Sequence, residues 1–432
     1  MKLLGSMEIK GNALYIGGIS AVELAKEYKT PLYVMDEELI RSQCRRYYKS
    51  FKVGEGKNRV AYAGKAFLTI AMCQIIKSEG LCLDVVSGGE LYTAQKSEFP
   101  MEKIYFHGNN KTQEEIEMGL EFQVGRFVVD NYYEMELINK IAKEKGIFQK
   151  ILLRITPGIE AHTHDYIKTG QIDSKFGFTP LDNNIIEAVK KAASLSNIVL
   201  VGIHCHIGSQ IFETQPFEDA VDTMLNIVSE IKENTGIEIS ELDLGGGFGI
   251  YYTEWDDPLS IEDFSTIILN RALEKSQELD IKIPALTIEP GRSIVGNSGT
   301  TLYTIGSIKE IPGIRKYVAV DGGMTDNIRP SLYDAEYECI VCDNVDNNDK
   351  ELITISGKCC ESGDILIKDF EIGKAESGDI LAVFATGAYC YSMSNNYNKI
   401  PKAAVVLVNN GISKLICKRQ TYEEMINNEI GL

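Results

Sequence analysis

Cations are scarce along this 432-residue chain: 44 Lys and Arg stand against 62 Asp and Glu, a formal net charge of −18. A surface of that sign repels phosphate backbones and anionic lipid, so neither nucleic acid nor a membrane surface is expected as a partner. Long hydrophobic runs are also missing, and no window approaches the ~18 uninterrupted apolar residues of a membrane-spanning helix. The Met1–Lys10 opening has one early lysine and no extended apolar stretch after it, which is not the pattern of a secretory signal. No internal repeat, low-complexity tract or Pro/Gly/Ser-rich linker divides the chain. Histidine is rare, with five residues, all between His107 and His206.

What is present suffices for a large core, since 44% of residues are hydrophobic and 25% charged. At this length two domains are expected rather than one. The ten cysteines are scattered, with only Cys359 and Cys360 adjacent. Free thiols in a reducing cytoplasm fit that distribution better than a disulfide scaffold.

Between residues 36 and 293 short strand-like runs alternate with helical periodicity. The runs are Arg59–Gly64, Leu83–Ser87, Ile104–His107, Arg126–Asp130, Ile151–Ile155, Val199–His206, Ser240–Leu244 and Ala285–Glu289. Between them, Thr112–Glu121, Asn131–Lys145, Phe217–Asn234 and Asp263–Glu278 carry apolar residues at spacings of three and four, and Thr112 with Glu115 has the spacing of a capping box. Eight strands with intervening helices over roughly 250 residues is the rhythm of a (β/α)₈ barrel, with a doubly wound open sheet as the competing α/β arrangement. From residue 294 the pattern changes to strands without convincing helices, predicting a second, C-terminal antiparallel β domain. Residues 1–35 precede the barrel and are assigned to that domain, which makes it discontinuous (1–35 and 294–432).

In such a barrel the loops after the strands form the functional face. They carry Lys65, Ser87-Gly88-Gly89-Glu90, His107-Gly108-Asn109, Asp130, Arg154, His204 to Ser209, Gly245 to Gly247 and Glu289 to Arg292. Backbone N–H groups at the Gly245–Gly247 and Gly291-Arg292 turns, with the Ser209 hydroxyl, suit a phosphate, although glycine equally serves tight turns. Lys65 at a strand end is either a solvated surface lysine or one desolvated enough to form a Schiff base with an aldehyde. His204-x-His206 and His162-x-His164 place imidazoles on one side of an extended chain, but no carboxylate pair or Cys pair completes a metal set. No metal is expected; an imidazole face against a planar cofactor ring is the other use.

Taken together, Tyr62-Ala-Gly-Lys65-Ala, Asp84-Val-Val-Ser-Gly-Gly-Glu, His204-Cys-His-Ile-Gly-Ser, Gly245-Gly-Gly-Phe-Gly and Glu289-Pro-Gly-Arg resemble the fold-type III, alanine-racemase-like pyridoxal-phosphate decarboxylases. Further strings resemble the diaminopimelate decarboxylase branch of that family: Ala161-His-Thr-His, Thr169-Gly, Asp173-Ser-Lys-Phe-Gly, Ile328-Arg-Pro-Ser-Leu-Tyr, Cys360-Glu-Ser-Gly-Asp and Gly387-Ala-Tyr-Cys-Tyr-Ser. The resemblance runs in order from about residue 12 to 408. It implies a carboxy-lyase acting on meso-2,6-diaminoheptanedioate to give L-lysine and CO₂, the last step of lysine biosynthesis.

By the same resemblance, Lys65 would hold pyridoxal 5′-phosphate, His206 would stack on its ring and Glu289 would pair with the ring nitrogen. Ser209, Gly247, Pro290, Gly291, Arg292 and Tyr389 would surround the cofactor and its phosphate. Cys360 would deliver a proton from the partner subunit of a homodimer whose active site is shared across the interface. Arg292, Arg329 and Tyr333 would bind substrate at its distal carboxylate and Glu361 its distal ammonium, a charge pattern complementary to a zwitterionic end, and Tyr389 would also contact substrate. A decarboxylase of ornithine, lysine or a carboxynorspermidine-type amino acid, or a non-catalytic homologue, is the alternative. Two departures from the family pattern stand out: Asp334-Ala335-Glu336-Tyr337 after Tyr333, and Lys399-Ile400-Pro401-Lys402 where an Arg-rich stretch is usual. Neither contains a residue assigned above.

Overall fold

The computed structural model describes residues 2–54, 56–159, 173–345 and 349–432. The His162-x-His164 pair and Thr169 therefore lie outside the described residues. Two compact units make up the chain: Gln43–Gly249 with Pro258–Ser293, and Met1–Ser42 with Ile250–Asp257 and Ile294–Leu432.

The first unit is a closed parallel barrel of eight strands, β1 (Arg59–Ala63), β2 (Cys82–Val85), β3 (Ile104–Phe106), β4 (Arg126–Val129), β5 (Gln149–Arg154), β6 (Ile198–His204), β7 (Glu241–Asp243) and β8 (Ala285–Ile288). Each pairs with the next, and Thr287 and Ile288 pair with Arg59 and Val60 to close the ring. That closure excludes the open doubly wound sheet. Ala61, Cys82, Tyr105, Val128 and Leu152 pack together from five successive strands, so the barrel is filled rather than hollow. The first residues of β1, β4 and β7 form a buried ionic group: Arg126 grips Glu241 through two bonds of 2.6 and 2.7 Å, and Arg59 lies 3.3 Å from the same carboxylate. The N-terminal end of the barrel is thereby closed, which leaves polar chemistry to the other end.

The surrounding helices begin where local side chains satisfy their free N–H groups. Thr112 and Glu115 form the reciprocal capping box of Gln113–Glu121. Asn131 caps Tyr132–Lys145 and Ser260 caps Ile261–Glu278. The long helix Gln215–Thr235 buries Phe217, Val221, Met224, Leu225 and Ile231, each side chain of this size contributing about 1.5–3 kcal/mol on leaving water.

In the second unit a nine-stranded sheet runs Ile365–Gly373, Lys350–Ser356, Arg315–Val320, Gly299–Ile311, Leu32–Asp36, Ala404–Asn409, Ile412–Cys417, and Ile380–Val383 joins Cys339–Val341 to the Gly299–Ile311 strand. Its pairs are antiparallel except two: Arg315–Val320 with Lys350–Ser356 and Leu32–Asp36 with Ala404–Asn409. The N-terminal strand Leu32–Asp36 thus lies centrally between two C-terminal strands. The last hairpin turns at Asn410-Gly411, both with positive φ (49° and 78°), a turn chemistry that matches the twist of its strands.

Candidate active site

At the C-terminal end of the barrel, Lys65 sits exposed in the single turn Gly64–Ala66 that follows β1, while Gly64 and Ala66 on either side are buried. The glycines after β7 hold the strand ends together. A Cβ at Gly245 would stand 2.5 Å from the Cys205 carbonyl oxygen, and one at Gly246 would stand 2.2 Å from that of Glu289. Gly245 also has φ +69° and Gly247 φ +119°, conformations that favour glycine. The backbone bonds Cys205 N–H to Asp243 O (2.9 Å), Leu244 N–H to Thr287 O (3.0 Å) and Glu289 N–H to Gly245 O (2.8 Å) stitch β6, β7 and β8 at this level. Pro290 accepts from Ala63 N–H at 3.2 Å, and a Cβ on Gly291 would meet Ala63 Cβ at 2.9 Å. Arg292 donates to Ser209 Oγ at 2.8 Å, which brings a cation, a hydroxyl and the glycine-rich backbone to one end of the barrel.

Inside the same end lies a buried cluster of ionisable groups. Glu289 Oε1 is 2.7 Å from His107 Nε2, and its Oε2 is 3.3 Å from His204 Nε2. The imidazoles meet edge to face with centroids 4.8 Å apart. Burial alone would raise the Glu289 pKa, but the two histidines outweigh it and hold the carboxyl well below its usual range. Beside it, burial, reinforced by Glu289, pushes Asp243 far upward. Asp84 on β2 is raised to about 6, again by burial first. His206, one residue beyond Cys205, accepts from Gly246 N–H through Nδ1 at 3.2 Å. Burial, then Lys65 and Arg154, push its pKa well down, so it presents a neutral ring.

The Ser87-Gly88-Gly89-Glu90 string turns out to be a helix start. Ser87 caps Gly88–Lys96, and Glu90 accepts the Val86 N–H at 2.7 Å.

The β domain carries a separate polar cluster around Arg329. This buried guanidinium donates to Tyr337 Oη at 2.6 Å and Tyr252 Oη at 3.1 Å. It is ringed by Tyr252, Tyr333, Tyr337 and Tyr389 with centroids 5.3 to 6.0 Å away. Tyr389 has φ +69°, a strained conformation for a non-glycine residue. Cys360 and Glu361 lie exposed on a tight loop organised by buried Asp364, whose carboxylate accepts from Met324 N–H (2.6 Å) and Cys359 N–H (2.8 Å). Cys360 N–H donates to Asn398 Oδ1 at 2.8 Å. Burial, with Asp364 beside it, raises the neighbouring Cys359 thiol to about 12, which leaves it a poor acid.

Of the residues singled out from sequence, Lys65, His206, Ser209, Gly247, Glu289, Pro290, Gly291 and Arg292 all belong to the barrel unit, and Arg329, Tyr333, Tyr389, Cys360 and Glu361 to the β domain. Sequence reasoning passed over His107 and Asp243 as partners of Glu289, and over Tyr252 and Tyr337 as partners of Arg329. The departure from family pattern at Asp334–Tyr337 thus reaches an assigned residue after all, through Tyr337. His204 pairs with His107 rather than with His206. His107, His204, Asp243 and Glu289 bring one donor atom each within 4.8 Å of one another, but both imidazole Nε2 atoms face the carboxylate of this same set.

Chemically, a lysine at the end of β1, an anion cradle of glycine, serine and arginine, and a buried carboxylate facing two imidazoles define a barrel enzyme suited to a planar cofactor bearing an aldehyde, a phosphate and a ring nitrogen. Residues 37–296 match the family described as "Pyridoxal-dependent decarboxylase, pyridoxal binding domain". The chain is 54% identical over 408 residues to diaminopimelate decarboxylase of Bacillus methanolicus, covering 94% of each chain. It is 51% identical to the protein of that name from Bacillus subtilis (strain 168), covering 96% of this chain and 94% of that one. A crystal structure of diaminopimelate decarboxylase from M. jannaschii in complex with L-lysine superposes with a TM-score of 0.93 at 40% identity, covering 99% of this chain and 98% of the other. The chain belongs to the pyridoxal-dependent decarboxylases and, within them, to the diaminopimelate decarboxylase family. Among the described residues no helix is long and apolar enough to cross a membrane.

Proposed function

We infer that this protein is a carboxy-lyase that uses pyridoxal 5′-phosphate to convert meso-2,6-diaminoheptanedioate to L-lysine and CO₂. Arg329 is the observation that carries the choice of substrate. Among the described residues its neighbours are phenols and a thiol rather than a carboxylate, so a buried positive charge is left for an anionic ligand. The distal carboxylate of a diamino diacid fits that charge; ornithine and lysine have none to offer.

The bound cofactor supplies an electron sink for the pair left as CO₂ departs. In this reading Lys65 anchors its aldehyde carbon, and Arg292, Ser209 and the Gly247 and Gly291 backbone hold its phosphate. The neutral His206 ring would lie against its face, and Glu289 would pair with its ring nitrogen. Tyr389, Tyr333, Arg292 and Glu361 complete the ligand contacts. We further propose a cytoplasmic homodimer in which each exposed Cys360 serves the other copy's site, where its thiol returns a proton to the carbon that has lost CO₂. Replacement of Cys360 by alanine should spare cofactor binding and slow product formation.

The test is direct. Purified protein supplied with pyridoxal phosphate and meso-diaminopimelate should release CO₂ and lysine in equal amounts. No release from that substrate, with release from lysine or ornithine, overturns the assignment.

A further inference from the structure

His107 and His204 have no part in the scheme above, although both are buried against its central carboxylate. His107 directly follows β3 and donates its backbone N–H to Val85 O at 2.8 Å. His204 is the last residue of β6, in register with Arg154 of β5 and Asp243 of β7. Two strand ends from separate parts of the barrel thus deliver one imidazole to each oxygen of Glu289, at 2.7 and 3.3 Å.

We propose that His107 and His204 are positioning residues that fix Glu289 as an ionised, oriented acceptor for the ring nitrogen of the bound cofactor. A carboxylate buried alone takes up a proton, because desolvation penalises its charge. The His204 N–H, with the His107 ring 2.7 Å from the other oxygen, opposes that preference. Each carboxylate oxygen still has a lone pair left for a third donor, so the clamp holds Glu289 without blocking it.

The proton count on His204 agrees with this arrangement. Its Nδ1 has no hydrogen-bond partner among the described residues, which places the single proton of a neutral ring on Nε2, facing Glu289. Burial keeps that ring neutral by taking its pKa down to about 3. Ionisable groups interacting with Glu289 or its histidines include Asp243, Asp84, Arg154, Cys205, His206, Asp130 and Glu90. Burial raises the Asp243 pKa far above the usual carboxylate range, and Asp84 Oδ1 lies 3.7 Å from His107 Nε2. Glu289 is therefore the anion around which the cluster is arranged.

This inference rests on the cofactor role given to Glu289, and its test uses no substrate, so it stands or falls apart from the choice of amino acid. Full-length protein carrying His107→Leu, His107→Gln, His204→Leu or His204→Gln is stripped and reloaded, and its affinity is measured for pyridoxal phosphate and for the analogue in which carbon replaces the ring nitrogen. Each leucine variant should bind pyridoxal phosphate about 10-fold or more weakly, while glutamine, whose amide N–H has similar reach, should stay within about 3-fold of the parent. All variants should bind the carbon analogue as the parent does. An equal loss for both ligands would reduce the histidines to structural residues and overturn the proposal. So would undiminished binding by the leucine variants, or a stoichiometric metal in the purified protein that both substitutions remove. If a leucine variant fails to fold, His204→Asn, which shortens the donor without emptying the site, takes its place under the same criteria.

Discussion

Glu289 in the barrel and Arg329 in the β domain are both buried ions, and the chain solvates them in opposite ways. Around the anion stand the rings of His107 and His204 and an acid, Asp243, whose pKa burial raises. The cation is met by phenol oxygens and ring faces. His204 meets the anion as a neutral N–H dipole, and the phenols meet the cation in the same way. Compare the Arg126–Glu241 pair at the other end of the barrel, where two ions satisfy each other. A closed ion pair has nothing left for a ligand, whereas a charge solvated by neutral groups keeps most of its field for one. The difference separates a structural ion from a functional one without reference to any motif.

Lys65 supplies the largest break. Lys65→Ala should leave turnover undetectable, and borohydride treatment should no longer fix cofactor to that peptide. Retained fixation would move the anchoring lysine elsewhere. Next in size is Arg329→Leu, which should lower kcat/KM for meso-diaminopimelate by about 10²–10³-fold, the usual loss when one member of a buried charge contact is removed. Pyridoxal phosphate affinity should be unchanged in the same variant. A fall in cofactor affinity equal to the fall in kcat/KM would mean that the two buried charges do not act independently.

The anionic side is sharpened by pH. The His204 pKa is lowered by burial from 6.5 to about 3, so its contribution to stability is complete above pH 6.5 and is lost as the pH falls toward 3. Against His204→Gln, the cofactor-free parent should therefore lose stability on acidification below pH 6.5, by at most about 1.4 kcal/mol per pH unit. Urea unfolding between pH 7.5 and 5 measures the difference. A constant gap between the two proteins would show that folding does not shift the His204 pKa, and the lowering by burial would be wrong.

Much of this was legible in the sequence because it is local. Most barrel strands are short runs with an apolar centre, the longer helices are periodic, and the Thr112 capping box spans four residues, so interactions close in the chain announced themselves. The second sheet was less complete. Leu32–Asp36 pairs in parallel with Ala404–Asn409, and nothing in either run signals a partner so distant in sequence. The Asn410-Gly411 turn did carry a hairpin signal, but Ile412–Cys417 is mostly exposed and lacks a clear apolar face. At the site, residue types at strand ends were visible while their company was not. His107 read as one more strand-end residue and His204 as the partner of His206, until barrel closure placed both beside Glu289. The glycine run was ambiguous because it has two reasons to be glycine, close backbone contact with neighbouring strand ends and access for an anion.

Tyr337 tests how finely the cationic side is tuned. Its hydroxyl stands 2.6 Å from the Arg329 guanidinium and 3.7 Å from Cys390 Sγ, and burial drives its pKa well above the usual phenol value, so it faces the cation as a neutral acceptor. Tyr337→Phe keeps the ring and the packing and deletes one hydrogen bond to a charge. Tyr252 still holds the guanidinium at 3.1 Å, so Arg329 should remain folded in but less fixed. The expected result is a rise in KM for meso-diaminopimelate of about 3- to 10-fold, near 1 kcal/mol, with kcat and cofactor affinity unchanged. A fall in kcat at constant KM would instead assign Tyr337 to the chemical step, and the phenols around Arg329 would no longer count as mere solvation for a binding charge.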